Sequence, residues 1–334
     1  MEKLKQKKKK KVSESDPIPT DLLIDIFSRV PGKSIERFRC LSKFWRCTLG
    51  LPYFTELFLT RSLARPRLLF AIKVDKELLF FSSPQPHNPV DNSTLVATRY
   101  RMYFPKYLPS RVHPPLRGSV FNEQVICNPV TGESITLPKA NVMGEKTSFF
   151  GYDPINKQFK VLCIRSRYGG RPRTQRVLTL GTGKLKWRRT MECEPHGAGI
   201  GEIGINGVLY YRACSIESPP MLACFDFSSE KFSFFQLLQR YFGQLQSITV
   251  GLSSYDKIGI EFDIAGVTST GEVVFLPYYR SNSFYIVYYN IERKTFARVR
   301  ILGFEQFHHG KNILVNPFLD YVENMKLLED RFIT

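Results

Sequence analysis

The sequence has no long apolar run and no cysteine pair with metal-binding or redox spacing. No stretch approaches the roughly 18 apolar residues of a membrane-spanning helix, so no membrane span or membrane partner is expected. Its seven cysteines are Cys40, Cys47, Cys127, Cys163, Cys193, Cys214 and Cys224. Their odd number and the absence of C-x-x-C predict free thiols in a reducing compartment, mostly buried as small apolar residues. No apolar segment follows the basic N-terminus, so no secretory signal peptide is predicted.

The sequence also lacks a complete catalytic or cofactor-binding motif. Residues 199–204 fit G-x-G-x-x-G, but they lead into Asn206-Gly207 and a strand, where a dinucleotide site needs a helix. Residues 181–184 match only part of a phosphate-binding loop. The histidines have no H-E-x-x-H or zinc spacing, and no G-x-S-x-G elbow is present. We therefore expect no enzymatic activity, no cofactor and no metal.

Acidic residues are scarce relative to basic ones. The chain has 48 Lys and Arg against 30 Asp and Glu, a net charge of +18. Residues 1–11 hold seven of the lysines, and residues 1–16 predict a disordered, lysine-rich tail. This tail resembles a nuclear-localisation patch; the alternative is a flexible tail that binds anions nonspecifically. We expect the protein in the nucleus, the cytoplasm or both.

A second basic feature lies between two predicted strands. It consists of Arg165, Arg167, Tyr168, Arg171, Arg173 and Arg176. Guanidinium groups bind phosphate and carboxylate in bidentate fashion, so one interpretation is a loop for an acidic partner. The alternative is a solvated loop whose charge discourages edge-to-edge aggregation.

Residues 17–62 predict a small helical unit. Thr20, Ser34 and Ser42 are candidate N-caps of three helices, and residues 51–63 predict a fourth. The apolar residues of the first helix are Leu22, Leu23, Ile26, Phe27 and Val30, which form one face of a 3.6-residue period. A core of this size is marginal alone, so the unit is expected to rest on a partner or on the next domain.

From about residue 66 the sequence predicts strands and turns. The segments are 77–81, 124–127, 159–164, 177–180, 208–211, 222–227, 271–276 and 285–290. A large aromatic repeatedly follows a turn-forming residue by six positions: Gly181 and Trp187, Asp226 and Phe232, Asn290 and Phe296, with a weaker copy at Asn128. The successive turn-forming residues lie 53, 45 and 64 residues apart. Hairpins that repeat at about this period predict four-stranded propeller blades, and a β-sandwich is the alternative.

The helical segment resembles a plant F-box. Residues 18–45 read IPTDLLIDIFSRVPGKSIERFRCLSKFW, which matches P-x-D-L, then I-x-x-R-[LV]-P, then K-S-I-x-R-F-R-C-x-S-K-x-W. The strand region resembles the plant F-box-associated (type 3-like) domain. Its landmarks are residues 127–132, 149–154, 157–161, 177–184, 205–211, 225–226, 229–234, 266–268 and 271–272, with Trp187.

The resemblance implies a multidomain α plus β architecture. A disordered tail (1–16) precedes a three- to four-helix F-box (17–62) and an all-β, propeller-like (kelch-like) domain (63–334). Family members usually carry a longer connection where residues 253–263 stand here. A shortened or missing blade is therefore expected.

The resemblance also implies a function: substrate-recognition subunit of an SCF-type (Skp–cullin–F-box) ubiquitin ligase, without catalytic groups of its own. The F-box would bind a Skp-type adaptor and, through it, the cullin scaffold, and the β domain would present an unknown protein target. The implied adaptor contacts are Ile18, Pro19, Leu22, Ile26, Val30, Pro31, Phe38, Leu41 and Trp45. The alternative places the large apolar residues of the helices in an internal core: Leu22, Leu23, Ile26, Phe27, Val30, Phe38 and Trp45. Two rival functions stay open: a basic nucleic-acid-binding protein, which is the less favoured partner class, and a degenerate receptor that presents no target.

Overall fold

The structure is a computed structural model. It describes residues 18–74, 77–102, 112–122, 125–140, 146–165, 175–181, 185–190, 196–214, 221–236, 262–277, 284–307 and 313–328. The predicted tail at residues 1–16 lies outside the described residues. So does the predicted short connection at residues 253–263, apart from its last two residues.

Four helices form the N-terminal part of the described chain. They are α1 (Thr20–Phe27), α2 (Gly32–Arg39), α3 (Lys43–Thr48) and α4 (Pro52–Leu63). The Ser42 cap is confirmed, because its Oγ accepts a hydrogen bond from the Trp45 N–H at 3.2 Å. The predicted caps at Thr20 and Ser34 are wrong. Pro19 and Pro31 occupy the N-cap positions instead, and their restricted φ starts each helix earlier in the sequence.

Twenty strands follow in the described chain. The first ten are β1 (Arg67–Val74), β2 (Glu77–Pro84), β3 (Ser93–Val96), β4 (Thr98–Arg99), β5 (Val120–Asn122), β6 (Val125–Asn128), β7 (Glu133–Thr136), β8 (Lys146–Asp153), β9 (Gln158–Arg165) and β10 (Arg176–Thr179). The others are β11 (Arg188–Arg189), β12 (Gly197–Ile205), β13 (Val208–Cys214), β14 (Met221–Asp226), β15 (Phe232–Gln236), β16 (Phe262–Val267), β17 (Val273–Pro277), β18 (Tyr285–Asn290), β19 (Thr295–Leu302) and β20 (Ile313–Tyr321). Every strand segment that the sequence predicts overlaps one of these strands.

The strands form five sheets, which are the blades of a propeller. Sheet I has the order β20-β1-β2-β4, sheet II β5-β6-β7, sheet III β11-β10-β9-β8, sheet IV β12-β13-β14-β15 and sheet V β16-β17-β18-β19-β3. Two pairings between strands that are distant in the sequence close the ring. The C-terminal strand β20 pairs with β1, and β3, from the N-terminal part of the propeller, pairs in parallel with β19. The β-sandwich alternative is therefore wrong.

The repeated aromatics lie in the outer hairpins of the blades. Phe232 pairs with Phe225 across β14 and β15, and Phe296 pairs with Tyr289 across β18 and β19. In each case the turn-forming residue ends one strand and the aromatic lies at the start of the next. The six-residue offset between turn-forming residue and aromatic thus corresponds to the same type of hairpin in sheets IV and V.

Apolar clusters fill the spaces between neighbouring sheets. One cluster joins sheets I and V, including Phe70 and Ile286, and another joins sheets III and IV, including Phe149 and Tyr211. The helices do not form a separate core: Phe27 and Phe58 belong to the same buried cluster as Phe80 in sheet I and Val120 in sheet II. The prediction that the helical unit rests on the next domain is confirmed. No helix within the described ranges is long and apolar enough to cross a membrane.

Candidate functional site

The first helix has two apolar faces that lie in different environments. Phe27 is buried, and Leu23 is half-buried against the core that the helices share with the propeller. Leu22 and Ile26 point away from this core and are 53% and 52% exposed. A single helix therefore both attaches the F-box to the propeller and presents apolar side chains to solvent.

The implied contact residues divide into two groups by burial. Ile18, Pro19, Leu22, Ile26, Pro31 and Leu41 are exposed. Val30, Phe38 and Trp45 are half-buried and pack against the core. The rings of Phe38 and Trp45 lie edge-on to Phe27, with centroids 4.8 and 4.9 Å away. The alternative that places the large apolar residues of the helices in an internal core is wrong for Leu22 and Ile26, which are exposed. Adaptor contact stays a prediction for both groups.

Further exposed apolar side chains on these helices were not in the predicted set. They are Phe44, Leu51, Tyr53 and Leu63. Phe44 lies beside Trp45 in α3, with ring centroids 5.2 Å apart. Successive helical residues point about 100° apart. The two rings of a Phe-Trp pair in a short helix therefore cannot both face the core, and one of them is left toward solvent. That signal in the sequence could have identified Phe44.

One arginine of α4 and one that follows this helix hold the C-terminal end of α1. The Arg61 guanidinium donates to the backbone oxygen of Asp25 at 2.8 Å and also pairs with the Asp25 carboxylate. This side-chain hydrogen bond lowers the pKa of Asp25. Arg65 donates to the backbone oxygen of Ser28 at 3.0 Å. Cationic groups at a helix C-terminus satisfy its last carbonyls and complement the helix dipole, so they fix the helix that carries Leu22 and Ile26.

The cysteines of the F-box differ from those of the propeller. Cys40 and Cys47 are exposed, whereas Cys127, Cys163 and Cys224 are buried. Three of these five described cysteines are buried, as the prediction of mostly buried thiols expects, and the two exceptions lie in the helical part. Cys47 lies in α3 and Cys40 follows α2, whereas the three buried cysteines lie in strands β6, β9 and β14.

The predicted arginine loop joins the second and third strands of sheet III. Arg165 ends β9 and Arg176 begins β10, while Arg167, Tyr168, Arg171 and Arg173 lie outside the described residues. Its role with an acidic partner stays a prediction. The glycines of residues 199–204 lie in β12, which pairs with β13. The strand predicted after Asn206-Gly207 is confirmed as β13, and the segment leads into a strand where a dinucleotide site needs a helix. Within the described ranges, no cluster of His, Cys, Asp and Glu is arranged to hold a metal ion.

Comparison with known protein families matches both parts of the chain. Residues 17–57 match the F-box domain, and residues 67–256 and 244–322 match the F-box associated beta propeller domain. The two propeller stretches overlap at residues 244–256. The domain is therefore matched in two stretches, and the point where they meet includes the start of the connection that the sequence predicts to be short.

Similar proteins are known in Arabidopsis thaliana. F-box protein DOR is 42% identical over 370 aligned positions, which cover 94% of each chain. Putative F-box protein At1g53370 is 42% identical, with 94% of this chain and 93% of the relative covered. The alignment with the first is longer than this chain, so that relative has residues with no counterpart here. The four helices, the five-bladed propeller and these matches agree with one another. The chain belongs to the F-box proteins that carry an F-box associated beta propeller domain.

Proposed function

We propose that this protein is the target-recognition subunit of an SCF-type ubiquitin ligase. An F-box domain implies binding to a Skp-type adaptor, and F-box proteins are typically non-catalytic. In this proposal the adaptor binds the exposed apolar residues of the helices, and the propeller presents a protein target. Other subunits transfer ubiquitin, so this chain contributes proximity and orientation rather than a reacting group.

The observation that carries this proposal is the division of the helical unit into a buried and an exposed apolar side. Its buried side is already covered by the propeller, through residues such as Phe27 and Ile35. The exposed side includes Leu22, Ile26 and Leu41. A group of large apolar residues that the fold leaves in water is typical of a protein–protein interface.

The direct test removes two central side chains of this surface together. Because Leu22 and Ile26 are exposed, Leu22→Ala with Ile26→Ala is expected to leave the melting temperature nearly unchanged. Central anchor residues of an interface typically lose about 2 kcal/mol or more on truncation, which is roughly 30-fold or more in affinity. We expect at least this loss in biolayer interferometry with a Skp-type adaptor bound to the cullin N-terminal region.

Leu63→Ala is the matched control, since Leu63 is a 62% exposed leucine of the same helical unit outside the predicted contact set. It should retain wild-type affinity. Equal binding by the wild-type chain, the double variant and the control would refute the assignment of these contacts.

A second candidate is the degenerate receptor, which binds the adaptor but presents no target. The division of the family match into two stretches that meet at residues 244–256 favours it. Limited proteolysis tests whether the propeller is misfolded. One resistant fragment that keeps all five sheets argues against misfolding, whereas cleavage inside residues 237–261 followed by loss of sheet V supports the degenerate receptor. Nucleic-acid binding and the nuclear or cytoplasmic location stay predictions that rest on the basic segments outside the described residues.

A further inference from the structure

The N-terminus of α2 lies directly against the propeller. A side-chain Cβ on Gly32 would come within 2.5 Å of Cγ1 of Val130, which follows β6 in sheet II. Three positions further along α2, Ile35 is fully buried in the core that the helices share with sheets I and II. The absence of a side chain at Gly32 is therefore what permits this close approach.

A carboxylate from the far end of the chain occupies the start of this helix. The first N–H groups of a helix have no partner within the helix, and the N-cap residue Pro31 offers no side-chain acceptor. Oε2 of Glu323 accepts a hydrogen bond from the Gly32 N–H at 3.0 Å, across 291 residues of sequence. A negative charge at this position also complements the helix dipole. Glu323 thus supplies the cap that the local sequence does not.

The second oxygen of the same carboxylate is held by the propeller. The Tyr100 hydroxyl donates to Oε1 of Glu323 at 2.6 Å, and Ser82 donates to the Tyr100 oxygen at 2.8 Å. Burial and the neighbouring charge of Glu323 raise the pKa of Tyr100. The hydroxyl therefore stays protonated and can donate this hydrogen bond. Nε of Arg67 donates to Ser82 at 3.1 Å and lies 3.8 Å from Oε1, which balances the buried charge.

The chain on either side of Glu323 is fixed to both parts of the molecule. Tyr321 ends the closing strand β20, which pairs with β1 in sheet I. Beyond Glu323, the Asn324 side chain donates to the backbone oxygen of Arg117 at 2.9 Å, and Lys326 pairs with Glu56 of α4. The position of Glu323 therefore depends on closure of the propeller ring.

We propose that Glu323 is a positioning residue that couples ring closure to the F-box. When β20 pairs with β1, the carboxylate reaches α2 and fixes the helical unit in the orientation that presents its exposed apolar surface. A chain whose ring is open lacks this cap and presents the surface poorly. The functional part of this inference rests on the proposed adaptor binding, whereas the structural coupling does not.

The test compares full-length Glu323→Ala, Glu323→Gln and Glu272→Ala with the wild-type chain. Glu272 is the matched control, because it is 5% exposed like Glu323 but its side chain bonds to Thr268 and Thr270 within sheet V. Hydrogen–deuterium exchange of peptides covering residues 31–41 reports the cap, and interferometry with a Skp-type adaptor reports the surface. Neither readout requires a known target.

For Glu323→Ala we expect amide exchange in α2 to rise at least about 10-fold, and adaptor affinity to fall by about 10-fold, equivalent to about 1.4 kcal/mol. Glu323→Gln should be intermediate, because its amide can still accept from Tyr100 but has lost the charge at the helix N-terminus. Glu272→Ala should leave both quantities at the wild-type value, whatever its melting temperature. If Glu323→Ala does not fold, the Gln variant carries the same comparison.

Equal α2 exchange in the Glu323 and Glu272 variants would overturn the coupling. Increased α2 exchange in Glu323→Ala with unchanged adaptor affinity would overturn the positioning role. A third outcome separates the two proposals. If the wild-type chain does not bind the adaptor but Glu323→Ala still raises amide exchange in α2, the proposed function is refuted and the structural coupling is supported.

Discussion

A buried lysine joins two neighbouring blades, and its removal is the sharpest test of what holds the propeller together. Lys160 lies in β9 of sheet III and is buried. Its Nζ lies 2.9 Å from Oδ2 of Asp153 and 2.9 Å from Oε1 of Glu230, and it donates to the backbone oxygen of Phe227 at 2.7 Å. Glu230 and Phe227 belong to the turn between β14 and β15 of sheet IV. The substitution Lys160→Met removes all three contacts and retains most of the volume.

The expected cost follows from what the substitution leaves behind. Removal of one partner from a buried ion pair typically costs about 3–5 kcal/mol, because the other charge stays buried. Arg188→Met is the matched control, since Arg188 also pairs with Glu230 but is 47% exposed. Exposed ion pairs contribute about 0–1 kcal/mol, so this variant should unfold close to the wild-type midpoint.

The same site predicts a dependence on acid. Burial alone would raise the pKa of Asp153, but hydrogen bonds from Asn156, Lys160 and Ser228 outweigh it and hold the pKa well below its usual range. A carboxyl whose pKa is lower in the folded state stabilises the fold above its unfolded pKa. This stabilisation is lost as the pH falls through the unfolded pKa toward the folded value. Lys160→Met should lose less stability than the wild-type chain over that acid range.

Urea unfolding followed by circular dichroism at pH 7 and at pH 3 measures both effects. We expect Lys160→Met to lower the free energy of unfolding by several times more than Arg188→Met at pH 7. Equal losses in the two variants would refute the argument that the buried position of Lys160 makes its pair important. An unchanged acid dependence in Lys160→Met would refute the assignment to Asp153.

Two further predictions concern packing and thiol reactivity. A Cβ on Gly151 would lie 1.8 Å from Cε2 of the buried Phe227, whereas a Cβ on Gly204 meets nothing within 4 Å; Gly151→Ala should therefore destabilise the fold by about 1–3 kcal/mol or more and Gly204→Ala by little, as thermal unfolding can check. Similar melting temperatures for these two variants would contradict this packing. Iodoacetamide should modify the exposed Cys40 and Cys47 in the native protein, and it should reach buried Cys127, whose pKa is raised by burial, only in denaturant. Peptide mass spectrometry measures the modification, and native labelling of Cys127 at the rate of Cys40 would contradict its placement.

The sequence by itself determined the classes of element and much of their order. Apolar runs bounded by turn residues and stripes with a 3.6-residue period depend only on neighbouring residues, so the strand at 285–290 and the helix that follows Thr20 could be assigned without a fold. The cap at Ser42 was predictable for the same reason. The caps at Thr20 and Ser34 failed because a proline just before each helix set its start.

The tertiary structure alone decided which apolar residues stay in water and which charges are buried. The stripe of α1 does not say that Phe27 faces the propeller while Leu22 and Ile26 face solvent, since that depends on the position of sheets I and II. Glu323 and Gly32 are 291 residues apart, and Lys160 and Glu230 lie in different blades. Pairing of the last strand with β1 brings the first two residues together, and packing of neighbouring blades brings the second two together. No local pattern encodes a contact between distant segments.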